Sequence, residues 1–305
     1  MTKYIVKRTV LGVVTLVIVS ILTFFLMNLI PGGPFLAEKS PSKAVKMALN
    51  KKYGLDQPIT VQYKNYMLKA IKGDFGPSIK MRGRNVSDVI SEKFPVSAKI
   101  GGISLVLALI VGIPLGCVAA FNRGKWLDSL LIVVATCGIA VPSFVVSTVL
   151  LYIFSMQLGW LPSYGLDSIL GYIMPVVALA FYPTAYICRM MRSSMLDVLG
   201  QDYMRTARAK GLSHFMSIFK HALRNAILPI ITYLGPAIAY AITGSLVVEK
   251  IFTIPGLGNS FVSSIINRDY MMVMGTTIFL AAIIIGMNVV VDIAYKLVDP
   301  RIELK

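Results

Sequence analysis

DVLGQDYMRTARAKGLSHFMSIFKHALR, residues 197–224, decides how this chain is read. It is a long, strongly basic segment set between two long apolar runs. Asp202 can cap a short helix over 203–210, and Gly211 can take the left-handed conformation that ends one. Ser213 offers a fresh N-cap. Phe215, Ile218, Phe219, Ala222 and Leu223 follow at i, i+3, i+4, i+7 and i+8, one apolar face of a second helix. The spacing predicts a helix, a glycine corner and another helix, lying in water between two membrane spans.

The rest of the chain is made for lipid. With 56% hydrophobic and 14% charged residues, the composition excludes a soluble domain. Six stretches carry no Asp, Glu, Lys or Arg: 9–30, 100–121, 129–166, 168–188, 225–248 and 270–291. A helix of about 22 residues is about 33 Å long, enough for a hydrocarbon core of about 30 Å. The third stretch holds a span near 129–157 and a turn at GWLPSYG, so six transmembrane helices are expected. The first is read as a retained span, because it is longer than a signal-peptide core of about 7–15 residues and no small-x-small site follows it.

Basic residues orient the spans. With the N-terminus inside, the inner side carries Lys3, Lys7, Arg8, Arg123 and Lys125, the bases of the central segment and of 189–192, and Lys296, Arg301 and Lys305. The two short outer loops carry only Lys250 and Arg268. Both termini are therefore expected in the cytoplasm, with residues 31–99 outside and too long to be governed by the rule. The net charge of +16 is first a membrane-orientation signal, and no soluble basic face for nucleic acid is present. Cys117, Cys137 and Cys188 all lie in apolar runs without ligand spacing and read as small buried hydrophobes.

The expected domains are 1–30 (cytoplasmic N-terminus and first span), 31–99 (an extracytoplasmic segment), 100–298 (a five-helix core including a cytoplasmic loop 190–224) and 299–305 (a cytoplasmic tail). In the outer segment, helical spacing appears over 41–53 and over 59–71, where Ile59, Tyr63, Tyr66, Met67 and Ala70 form one stripe. Gly73-Asp74-Phe75-Gly76 reads as a turn, and 86–94 as a short amphipathic helix ended by Pro95. Such stripes predict an ordered cap rather than a disordered tail. Prolines and glycines recur in the later spans, as expected of a closely packed, kinked bundle.

Asp292 follows directly on the last of these runs, at the inner end of the last span and four residues from Lys296, which suits an ion pair at the inner surface. No chain of coupling carboxylates is apparent, which argues against a secondary carrier. The only Gly-Lys pair, Gly124-Lys125, is followed by Trp126, so no phosphate-cradling GxxxxGK[ST] loop is present. His214 and His221, seven apart, have no carboxylate at ligand spacing, and neither a metal nor a catalytic constellation is expected. A bundle of this kind must borrow its energy.

RTARAKGL followed by HALRNAILP resembles the signature loop of the permease subunits of ATP-binding-cassette importers, in particular the first (B-type) permease of oligopeptide and dipeptide systems. Against the general loop of that family, Ala207, Gly211 and Leu223 match. The blocks 53–79, VGIPLG (111–116), VPSFVV (141–146), LGWLPSYG (158–165), 247–270 and YKLVDPRI (295–302) resemble the same subgroup in the same order. The resemblance implies an all-α integral membrane protein with the type I importer permease fold and six transmembrane helices. It would form half of a peptide pathway, without catalytic residues of its own.

The partners implied are a second permease, two cytoplasmic ATPases that bind ATP and Mg, and an extracytoplasmic lipid-anchored binding protein. The same resemblance makes 203–212 a coupling element for the ATPase. Tyr203, Ala207 and Leu212 would be its contacts, with Arg205, Thr206, Arg208, Lys210 and Gly211 around them. Docking of the binding protein would fall on 31–99 and on EKIFTIPGLG, with Glu249, Arg268 and Asp269 as charged candidates. Tyr182, Tyr186, Thr232, Tyr233, Tyr240, Thr243 and Ser245 are candidates for the pathway wall. Alternatives are a permease of the same kind for nickel, glutathione or a similar cargo, a secondary carrier, or a membrane scaffold.

Overall fold

A computed structural model describes residues 2–29, 33, 47, 50, 51, 53–211, 213 and 216–298. The expected helix over 41–53 and the tail 299–305 lie outside the described residues almost entirely, as do His214, Phe215 and the side chain of Asp292. Among the described residues, five helices are long and apolar enough to cross a membrane: Val6–Leu29, Val86–Phe121, Ile169–Leu199, Leu223–Ile251 and Tyr270–Val291. A sixth forms if the pair Trp126–Ala140 and Ser143–Gln157, bent by 103°, counts as one span. The chain is a helical, multi-pass membrane protein, and it divides into two compact units.

The first unit joins Met1–Ser97 to Pro255–Lys305. Its frame is α1 (Thr2–Leu29) against the last helix, Tyr270–Val298. A Cβ at Gly12 would stand 2.6 Å from Ile285 Cγ2, so the small residue admits the neighbour. The other face of α1 is bare: Val6, Val10, Val13, Val14 and Ile18 are exposed, as apolar side chains are when lipid is the solvent.

Helix α2 (Ile59–Ala70) lies on α1. Its Tyr63 hydroxyl meets Ser20 Oγ at 2.7 Å, and its ring sits 5.3 Å from that of Phe24. Tyr66, Tyr63, Met67 and Ala70 of the expected stripe all join a core with Phe24, Met274 and Ile278, whereas Ile59 stays exposed. Burial, and secondarily the nearby Asp74 carboxylate, push the Tyr66 phenol up, keeping it a neutral packing group. The segment between α1 and the next span is therefore folded where it is described.

Asp269 ties this unit together. Its carboxylate, 1% exposed, accepts from the backbone N–H of Ile79 at 3.1 Å, Lys80 at 3.3 Å and Met272 at 3.2 Å, and from the Ser78 hydroxyl. One side chain thus caps the start of the last helix and gathers a loop some 190 residues away.

Helix α3 (Val86–Phe121) is one 36-residue helix, where the sequence suggested a short helix ending at Pro95. Pro95 removes a single backbone donor. The turns before it are held by packing of Val86, Val89, Ile90 and Phe94 on Leu257, Met272 and Phe279. Packing outweighs the lost bond.

The second unit, Ala98–Ile254, takes the rest of α3. It continues with α4 (Trp126–Ala140), α5 (Ser143–Leu150) with a wider turn Leu151–Gln157, and α6 (Ile169–Leu199). The expected third span is broken. Pro142 bars the residue before it from helical geometry, and Val141 is extended at φ −81° and ψ 120°. Helices α3 and α6 meet through glycine: added Cβ atoms would lie 2.9 Å from Thr184 O at Gly112 and 2.5 Å from Cys188 O at Gly116. At Gly101 the approach is closest, 1.7 Å from Ala241 O.

Two outcomes follow from these contacts. Gly101→Val forces a branched side chain against backbone and should destabilise the solubilised protein by at least about 1–3 kcal/mol, read as earlier thermal aggregation in mild detergent. Asp269→Ala strands several buried donors at about 1–3 kcal/mol each. Protease cleavage within 77–85 should then become faster while cleavage at 200–213 is unchanged.

Candidate functional site

The basic segment builds on the end of α6. Helix α7 (Asp202–Ala209) begins with Asp202 in its first turn rather than as the cap before it, placing a carboxylate at the positive end of the helix. Lys210 N–H closes the last turn on Thr206 O at 3.0 Å. Gly211 takes φ +79°, the conformation that a Cβ would penalise and that ends the helix. Ser213 Oγ then accepts from Met216 N–H at 3.3 Å, the expected N-cap. A wider-wound stretch, Ser217–Ala222, runs into α8 (Leu223–Ala226).

Met204, Ile218, Ala222 and Ala226 form the inward face of this segment, all buried. With the exception of Ile218, they share a core with Ile187, Met191 and Met195 of α6 and with Ile230. The sequence suggested Phe215, Ile218, Phe219, Ala222 and Leu223, of which Phe215 and the side chain of Phe219 lie outside the described residues. It missed Met204, which faces the core from the first helix and could have been found by asking which side of so short a helix is unlike its charged side. The outward face holds Tyr203, Arg205, Thr206, Lys210 and Gly211, all exposed.

Tyr203 Oη accepts from Asn225 Nδ2 at 2.9 Å, bracing the two helices across the corner. Arg205 reaches Asp202 at 3.6 Å, but both are so exposed that the pair adds little. Leu212 and the side chains of Ala207 and Arg208 lie outside the described residues.

Above this segment an ion pair joins α4 to α6. Arg192 Nε and Nη2 donate to the two oxygens of Asp128 at 2.6 and 2.8 Å, and Gly124 N–H adds a third bond at 3.0 Å. Asp128 borders an apolar run, and nothing local in the sequence tells it to pair 64 residues away.

The residues picked for a pathway wall separate into two groups. In the second unit the rings of Tyr182 and Tyr186 lie 6.1 Å apart, and Tyr186 is 4.6 Å from Tyr233. Tyr240 is 73% exposed on α9 (Leu228–Thr243). The hydroxyls of the others serve their own backbone. Thr232 donates to Leu228 O, Thr243 to Ala239 O and Tyr240 O, and Ser245 caps α10 (Leu246–Ile251) by accepting from Val248 N–H.

The docking candidates differ in exposure. Glu249 and Asp269 are each 1% exposed. The Asp269 carboxylate is taken up by the backbone of its own unit. Arg268 is half-buried, at positive φ (59°), directly after α11 (Leu257–Ile266) and its C-cap Asn267. Among the described residues no group of three or more His, Cys, Asp and Glu could hold a metal ion.

Comparison with known proteins places the chain. Residues 1–101 match the family described as binding-protein-dependent transport system membrane component, N-terminal, and residues 112–304 match the binding-protein-dependent transport system inner membrane component. The dipeptide transport system permease protein DppB of Bacillus subtilis is 46% identical, covering 100% of this chain and 99% of its own. The oligopeptide transport system permease protein OppB of Haemophilus influenzae is 43% identical, over 99% of this chain and 100% of its own. The glutathione transport system permease protein GsiC of Escherichia coli O1:K1 is 39% identical over the full length of both. This chain belongs to the family of binding-protein-dependent transport system inner membrane components.

Proposed function

We propose that this chain is a membrane-spanning permease subunit of an ATP-driven importer of oligopeptides or dipeptides. It forms half of the pathway, with a second, homologous permease supplying the rest. Both termini and the segment 202–226 face the cytoplasm, where two ATPase subunits bind ATP and Mg. A lipid-anchored binding protein delivers the peptide from outside, and the chain itself catalyses no reaction.

The observation that carries this reading is the shape of the basic segment. Its two helices present Tyr203, Arg205, Thr206 and Lys210 outward, while Met204, Ala222 and Ala226 lock the same helices into the core of α6. A knob with one free face and one face welded to a span is what converts closure of an attached domain into movement of the spans. The relatives' cargoes support peptide first. The 39% identical glutathione permease supports a second reading, in which the cargo is a peptide-like thiol and the machinery is the same.

The test is a mild-detergent pull-down of the tagged protein from its own membranes, with every co-purifying chain identified. The wild type should bring down a second six-span permease and one or two ATPases. Gly211→Pro, which cannot adopt the positive φ of the corner, should keep the permease but lose the ATPases at least tenfold. Tyr203→Ala should weaken their recovery without that loss of the corner. A wild-type chain recovered alone, from membranes in which the ATPases are expressed, defeats the proposal. Uptake of labelled dialanine, with trialanine and glutathione as competitors, separates the two cargo readings.

A further inference from the structure

Helix α4 is fastened to α6 at two points. Near its end, a Cβ at Gly138 would lie 2.7 Å from Ala185 Cβ, so the two helices touch closely there. At its start, Asp128 and Arg192 make their two-bond pair, with side-chain exposures of 6% and 23%. A carboxylate this buried at the border of an apolar span is expensive unless it is fully paired, and such residues in membrane proteins are commonly functional. The third bond, from Gly124 N–H, ties the turn between α3 and α4 to the same oxygen that Arg192 Nη2 holds.

Arg192 also occupies a particular place on α6. Met191 and Met195, its neighbours on that helix, are fully buried in the core shared with Met204, Ala222 and Ala226 of the basic segment. The same short length of α6 is thus gripped by the segment through dispersion contacts and by α4 through an ion pair. Immediately beyond α4 comes the break at Val141–Pro142, where the chain bends by 103°. A displacement of the segment therefore has a polar route into the bent pair through this joint.

We propose that Asp128 and Arg192 are positioning residues for energy coupling: their pair transmits movement of the ATPase-facing segment to α4 and the broken span, beyond any role in holding the fold. This rests on the importer reading above. The bidentate geometry suits the task, because a planar guanidinium on two carboxylate oxygens resists rotation as well as separation.

The experiment uses the whole importer, reconstituted in liposomes with its co-purified subunits and binding protein, and measures labelled dialanine taken up per ATP hydrolysed. Asp128→Asn alone leaves the Arg192 charge buried without its counter-ion, so less complex should be recovered. Asp128→Asn combined with Arg192→Met removes both charges, keeps an acceptor for Gly124 and keeps the bulk of the arginine stem. The double variant should return the amount of complex, with its ATPases, to near the wild-type level. Its uptake per ATP should still fall about tenfold. Arg192→Lys, which keeps the charge but not the fork, should lie between.

A double variant that assembles normally and couples as the wild type does overturns the proposal. So does one that fails to assemble, because the pair would then be a requirement of the fold. Failure of the underlying importer reading shows separately, as a wild-type complex that hydrolyses ATP without moving any of the peptides.

Discussion

The core shared by Met191 and Met195 of α6 with Met204, Ala222 and Ala226 of the basic segment is the contact on which the rest depends. In lipid, apolar side chains gain nothing by leaving the solvent, so helices hold together through close fit. In water, the same side chains are driven together. This core combines long flexible methionines, which fill irregular space, with alanines, which let backbones approach. Without it the two short helices around Gly211 would have no shape of their own, since helices of 8 and 4 residues are far below the length at which isolated helices persist.

A second constraint is the satisfaction of polar groups away from water. Asp269 and Asp128 solve it in the same way, each taking three or more donors that include one from a few residues away and others from parts of the chain distant in sequence. The partners differ in kind. Asp269 is held mostly by backbone N–H groups and so fixes one loop to one helix end. Asp128 is held mostly by the long side chain of Arg192 and so joins one helix to another.

Features governed by neighbours along the chain were legible from the residues. The corner at Gly211, the N-cap at Ser213, and the stripe of Tyr63, Tyr66, Met67 and Ala70 depend on spacing within a turn or two, and all were expected. Proline was legible only in part. Pro142 breaks the third span, whereas Pro95 lies within an unbroken helix, because core packing surrounds the second and Val141 is free to extend before the first. The charged residues were read least well. Glu249 and Asp269 look like surface groups in sequence and are buried, and the pairing of Asp128 with Arg192 spans a separation no local rule covers.

The placement of proline along α6 shows how the two kinds of contact could work on one helix. Pro175 and Pro183 each remove a backbone bond from its first half. The second half is held by α3 at Gly112 and Gly116, by the basic segment at Met191 and Met195, and by α4 at Ala185 and Arg192. Pro183, the second of the two prolines, stands beside Tyr182, whose ring stacks with that of Tyr186, itself next to Tyr233. Bending concentrates where backbone bonds are missing. A bend of α6 at Pro183 would therefore fall beside Tyr182 and Tyr186.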